Sequence, residues 1–111
     1  MAFSLVVYQG DSASWAFKFW QDRERTIPVD LTDVTAKAEI RDRPGGNLML
    51  PLPLTITPPN LVVAALTSTD SRKLTRRNGV WDMQFTLADG TVSTVVSGHV
   101  HVTPDVTDSA A

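Results

Sequence analysis

The stretch Trp81-Asp82-Met83-Gln84-Phe85-Thr86-Leu87, followed by Ala88-Asp89-Gly90 and then by Thr91 to Val102, decides the fold class of this chain. Trp81, Met83, Phe85 and Leu87 share one face of an extended segment, and Asp82, Gln84 and Thr86 share the other. That period of two buries one side of a strand and wets the other. Asp89-Gly90 marks a hairpin, because glycine tolerates the positive φ that a tight turn needs. A long second strand is then predicted to return as far as Val102.

Upstream, the same alternation recurs in shorter pieces. Phe3, Leu5 and Val7 alternate with Ser4, Val6 and Tyr8, and Gln9 to Ser12 reads as a turn. Ser14 to Gln21 reads as a second strand, with Trp15, Phe17 and Phe19 on one face and Ala16, Lys18 and Trp20 on the other. Asp22 to Thr26 is a charged loop, and Ile27 to Leu31 a short extended piece in which Pro28 favours an edge. Val34 to Arg41 is rich in good helix formers. Its apolar residues nevertheless recur every second position, which makes a strand face and no single helical stripe. Leu48 to Thr57 is extended but carries Pro51 and Pro53, which cannot donate to a ladder, so it is expected at an edge or irregular. If it stays extended, Leu48, Leu50, Leu52 and Leu54 share one face and Met49 and Pro51 the other.

After the turn at Pro58-Pro59-Asn60, the apolar run Leu61 to Leu66 reads as a buried strand. Thr67 to Leu74 is the one expected helix, with Ser68 or Thr69 as its cap and Asp70 and Lys73 placed to suit its dipole. Thr103 to Ala111 is a small polar tail, expected to be loose or docked on a neighbour. Seven or eight short strands with turn signals between them favour a β-sandwich or small barrel in a single domain spanning residues 1–111.

Composition narrows the chemistry. The chain has 111 residues, a net charge of −2 and no cysteine. Disulfides, thiolate metal sites and cysteine nucleophiles are excluded. The charge argues against nucleic acid as a partner, which wants a clustered positive surface; Arg72, Lys73, Arg76 and Arg77 read as a solvated basic turn. No apolar run approaches the ~20 residues of a membrane helix. Met1 to Tyr8 lacks a basic leader, so the chain is expected to be made in the cytoplasm.

Candidate sites are few. His99 and His101 project to the same face of a strand, but a metal would need a third ligand. Asp11-Ser12 lacks a nucleophile elbow and reads as a turn. Asp22, Glu24, Asp30 and Asp33 lie in loops with no apolar setting to raise one pKa. Trp15 and Trp81 fall on core faces. Trp20 falls opposite Phe17 and Phe19 and is the aromatic expected to be exposed, as aromatics that mark contacts are. No catalytic, metal or cofactor-binding residue is therefore expected.

An ordered set of landmarks carries a resemblance. It runs Tyr8-Gln9-Gly10-Asp11-Ser12, Trp15-x-Phe17-x-Phe19, Pro28-Val29-Asp30-Leu31-Thr32 and Ala36-Lys37-Ala38-Glu39-Ile40-Arg41. Leu66-Thr67, Arg72-x-Leu74, Trp81-Asp82-Met83-Gln84, Asp89-Gly90-Thr91-Val92 and Val96-x-Gly98-x-Val100-x-Val102 follow, closed by Thr103-Pro104-Asp105-Val106-Thr107. Over nearly its whole length the chain resembles a small structural module of tailed bacteriophages, similar to the N-terminal domain of upper baseplate proteins and to related short tail-region proteins. The resemblance implies an immunoglobulin-like β-sandwich that assembles into a virion, and it implies no catalytic residues. The family's long C-terminal extension is absent, so no receptor-binding or fibre arm is expected.

The expected function is that of a non-enzymatic virion protein of the tail or baseplate region. It is expected to bind its own copies or neighbouring virion proteins, without cofactor, nucleic acid or membrane. Trp20, Met49, Pro51 and Pro53 are its candidate interface residues. A capsid cement or head-tail joining role, and a carbohydrate-binding sandwich using Trp20, are the alternatives.

Overall fold

The computed structural model describes residues 2–104. Eight strands and one short helix follow one another as β1 (Leu5–Tyr8), β2 (Ala13–Lys18), β3 (Thr35–Arg41), β4 (Leu48–Leu52), β5 (Leu54–Thr57), β6 (Leu61–Leu66), α1 (Ser68–Arg72), β7 (Asn78–Thr86) and β8 (Val92–Thr103). They form a five-stranded sheet in the order β1-β8-β7-β3-β4 and a three-stranded sheet in the order β2-β6-β5. The first strand runs parallel to the last, and every other pairing is antiparallel. Two sheets joined by such crossovers make an immunoglobulin-like β-sandwich.

The β7–β8 hairpin is the spine of the larger sheet. Trp81, Met83 and Phe85 face inward and are buried, while Val80, Asp82, Gln84 and Thr86 lie half-buried on the outer face. Leu87 departs from the expected face, because β7 ends at Thr86 and Leu87 begins the turn, 42% exposed. The Leu87 carbonyl accepts from the Gly90 amide, and the Leu87 amide donates to the Thr91 carbonyl. Gly90 takes a φ of 89°, which only glycine adopts without a Cβ clash. Further along, the register slips between Met83 and Gln84, leaving Val95 as the extra residue of a bulge.

The expected single strand from Leu48 to Thr57 is two strands. The chain leaves the larger sheet at Pro53, whose carbonyl already accepts from the Ala65 amide, and enters the smaller one as β5. Leu50 and Leu52 face the core as expected, but the leucines do not all share one face. A register shift between Ile40 and Arg41 skips Met49, turning Leu48 outward, and Leu54 belongs to the other sheet.

Other boundaries move for similar reasons. β2 ends at Lys18 instead of Gln21, and Ile27 to Leu31 forms no strand. Only Trp20 and Pro28 bridge there, through Gln21 N–H to the Ile27 carbonyl and Val29 N–H to the Phe19 carbonyl. The apolar run of β6 is buried on one side only: Val62, Ala64 and Leu66 face the core, and Ala65 is exposed. Among the described residues no second layer covers the outer face of this sheet, so β6, though central, is buried on its inner side alone.

The core gathers Leu5, Val7, Phe17, Leu31, Ile40, Leu50, Leu52, Val62, Leu66, Leu74, Met83, Phe85, Val96 and Val100 with their neighbours. Burying each large apolar side chain contributes about 1.5–3 kcal/mol. Phe85 meets Phe19 edge-on at 5.0 Å and Phe3 meets Phe17 edge-on at 5.2 Å, which ties β2 and its following loop to the larger sheet.

The helix is shorter than the eight residues expected, and its cap is Thr67 rather than Ser68 or Thr69. The Thr67 hydroxyl accepts from the Asp70 amide at 3.1 Å. Ser71 holds α1 to the sandwich: its buried hydroxyl accepts from the Gly10 amide at 3.0 Å and donates to the Ser68 carbonyl at 3.2 Å. From residue 105 on, the expected polar tail lies outside the described residues.

Candidate assembly surfaces

Sheet edges are where a sandwich leaves backbone donors and acceptors unpaired. Here β1 and β4 are the edges of the larger sheet, and β2 and β5 those of the smaller one. Three of the four candidate residues lie along the β4–β5 flank. Pro51 is exposed on β4, opposite Glu39 of β3, and Pro53 is exposed where the chain changes sheets. Met49 is half-buried at the bulge and packs against the core, so its side chain is partly spent on folding. The same bulge brings Leu48 to the surface, 47% exposed. Between Arg43 and Asp70 the sequence contains no charged residue. One uncharged segment thus forms the edge strands of both sheets on this flank.

On the opposite flank the larger sheet's edge strand, β1, is also uncharged, whereas β2, the smaller sheet's edge there, ends in the exposed Lys18. Residues 1–10 contain no ionisable side chain other than Tyr8. Val6 and Tyr8 on the outer face of β1 are 65% and 42% exposed. Phe3 and Gln9 donate their amides to the Ser97 and Thr103 carbonyls of β8. By alternation along a parallel strand, the amide and carbonyl of Val6 point away from the sheet. Nothing in the sequence alone marked β1 as an edge, since edge position follows from pairing and not from composition.

Trp20 lies elsewhere, at the end of the sandwich where β2 runs into its loop, and is half-buried there instead of exposed, since β2 ends at Lys18 and its strand face does not extend to residue 20. It lines a shallow open pocket of about 790 Å³ with Phe3, Phe19, Lys18, Asp22, Arg23, Arg25 and Leu61. Asp22 organises this loop. Its carboxylate accepts from the Thr26 amide at 2.9 Å, the Ile27 amide at 3.0 Å and the Thr26 hydroxyl. The Thr26 hydroxyl first, and then the Ile27 amide, hold its carboxyl below the ordinary carboxylate range. Arg25 sits within the loop at a left-handed φ of 59°. Asp30 and Asp89 are lowered in the same way, by Thr32 and Thr91. All three aspartates act as local turn braces, which the Asp-x-Thr spacings of Asp30 and Asp89 signal in the sequence.

A second open hollow, of about 750 Å³, lies on the outer face of the larger sheet. Glu39, Arg41, Val80, Asp82, Gln84, Ser97 and His99 line it. Arg41 contacts Glu39 at 3.0 Å and donates to the Gly46 carbonyl at 2.8 Å, and Lys37 stands 3.8 Å from Glu39. This ladder is half-exposed and worth at most a few tenths of a kcal/mol per pair.

His99 and His101 are both exposed on that face, with ring centroids 6.4 Å apart, and His101 Nδ1 lies 3.2 Å from Asn78 Oδ1. Among the described residues no group of three His, Asp or Glu side chains converges as a metal ion would require. Asp11 and Ser12 occupy the turn after β1, where the Asp11 amide donates to the Tyr8 carbonyl. Asp22 and Asp30 are engaged by their own loops.

No family model matches the chain, and no curated protein does. Among solved structures, murine CRIg is similar over 92% of each chain, at 8% identity and a TM-score of 0.43. The immunoglobulin-like class is defined by this chain's own strand order.

Proposed function

We propose that this protein is a non-enzymatic structural component of a tailed-phage virion, in the tail or baseplate region. It works by contact with its own copies and with neighbouring virion proteins. The observation that carries the reading is that edge strands on opposite sides of the sandwich, β1 on one side and β4–β5 on the other, carry no charged side chain. Side-by-side packing in a ring or lattice needs two lateral surfaces that can lose water without stranding charge. Leu48, Pro51 and Pro53 on one flank, and Val6 and Tyr8 on the other, provide them. Trp20 supplies a third contact at one end, and Met49 supports the β4 flank from beneath.

Two measurements test this. Mass spectrometry of purified particles should find the protein at a fixed copy number. Pro51→Lys with Pro53→Lys should then leave folding within about 1 kcal/mol of the parent, because both side chains are exposed, yet abolish incorporation. Absence from washed particles overturns the virion reading. Normal incorporation of the double variant removes the β4–β5 flank from the contact.

A further inference from the structure

The pocket at the end of β2 has a chemistry that the lateral flanks lack. Its floor is apolar and aromatic, from Phe3, Phe19, Trp20 and Leu61. Three cations, Lys18, Arg23 and Arg25, stand around it. Among the described residues none of the three is in an ion pair. The single carboxylate on the pocket, Asp22, spends its oxygens on Thr26 and Ile27 of its own loop. The pocket therefore offers donors and apolar area, with no side-chain carboxylate left to accept.

That balance selects among ligands. A neutral saccharide presents hydroxyls on every side and needs acceptors as well as an aromatic platform, and here the acceptor is already used. Nucleic acid wants a basic surface that follows a run of phosphates, and three cations around one hollow do not extend to one. An acidic peptide segment meets each requirement: its carboxylates face the guanidinium forks, and an apolar side chain between them covers the Trp20 ring. The loop is already set, since Asp22 fixes residues 22–27 and holds Arg25 in its left-handed conformation, so little ordering remains to oppose binding.

We infer that the Trp20–Arg23–Arg25 pocket is a docking site for an acidic segment of a neighbouring protein, an apolar or aromatic residue flanked by carboxylates. This rests on the assembly reading for its partner class, but its chemistry is independent of the lateral flanks.

The test uses the isolated full chain and a capped peptide, Ac-Ser-Asp-Phe-Asp-Leu-Asp-Ser-NH2. Binding is followed through the Trp20 indole N–H signal, assigned with Trp20→Phe. Saturable binding is expected, weakening about tenfold as salt rises from about 0.05 to about 0.5 M, because the pairs are half-exposed. Arg23→Glu with Arg25→Glu should lose binding about tenfold or more while leaving the thermal midpoint unchanged, since both side chains are exposed. The inference is overturned by no saturable shift at millimolar peptide, by equal binding of the same peptide with asparagine in place of aspartate, or by unchanged binding in the charge-reversed variant. Tighter binding of an acidic oligogalacturonate than of the peptide would also overturn it, in favour of a glycan site. Peptide binding by a chain absent from particles would uphold the pocket and refute the virion reading. Particle incorporation without peptide binding would do the reverse.

Discussion

The indole Nε1–H of Trp81 donates to the carbonyl of Phe3 at 2.8 Å, joining residues 78 positions apart in sequence. Trp81 is the first buried residue of the fold-deciding stretch, and Phe3 belongs to the segment that leads into β1. The bond satisfies a nearly buried indole and anchors the first strand beside the last. Phe3 also packs its ring on Phe17 of the opposite sheet, so one residue fastens both layers.

Trp81→Phe removes that donor while keeping most of the ring volume. It should cost about 1–3 kcal/mol in urea unfolding, since the Phe3 carbonyl loses its partner. Amide exchange at Phe3 should quicken relative to Met83. An unchanged midpoint would show that solvent replaces the bond.

Gly98 is where the Phe3 backbone crosses β8. A Cβ there would lie 2.7 Å from the Phe3 carbonyl carbon, with the Phe3 carbonyl oxygen nearer still. Gly98→Ala should therefore displace β1 and cost about 1–3 kcal/mol. Gly90→Ala meets open space but a φ of 89°, so it should cost only about 1 kcal/mol through backbone strain. Equal exchange protection of β1 in the two variants would refute the distinction.

Ser71→Ala leaves the buried Gly10 amide without its acceptor. The expected loss is about 1–3 kcal/mol, read as a lower thermal midpoint. Ser68→Ala keeps the Ser71 hydroxyl and its carbonyl partner, and should cost less.

Phe85→Ala should cost about 3–5 kcal/mol, because the ring is 5% exposed and leaves a cavity beside Phe19. Leu87→Ala, one turn of the pleat further on, should cost below about 1 kcal/mol, since that side chain is 42% exposed. Chemical denaturation of the pair separates the core face from the turn.

Acid should loosen the 22–27 loop. The Asp22 carboxyl is depressed in the folded chain, chiefly by the Thr26 hydroxyl. Its contribution is therefore fully present above the unfolded carboxylate pKa and is lost as pH falls below about 4, through the folded value. Asp22→Asn should flatten that part of the stability–pH curve. A parent curve without any slope there would remove Asp22 as a brace.

Alternation made β3, β7 and β8 legible, because a residue that packs on one face must recur every second position. The β-sandwich class follows from the recurrence of such pieces, but the strand count of about eight agrees only because Ile27 to Leu31 forms no strand while Leu48 to Thr57 forms two. Val95 and Met49 were not legible: each is the extra residue of a bulge, and a bulge depends on the partner strand's register. Trp20 could be singled out as a contact candidate by its face alone. Arg23 and Arg25 follow it on the same loop, but Phe3 could not be foreseen as a companion, since it comes from the segment before β1 that only the fold brings there.

By itself the amino-acid sequence determined that this chain is mostly β, that Trp81, Met83 and Phe85 are core, that Gly90 turns the main hairpin, and that no cysteine chemistry is possible. Those are properties of period, composition and local backbone preference. Tertiary structure alone decided that β1 runs parallel to β8, that the proline-rich stretch divides between two sheets at Pro53, and that the uncharged edge strands β1 and β4–β5 lie on opposite sides. Strand order is a choice among pairings of similar local energy, and only the closing of one common core selects between them.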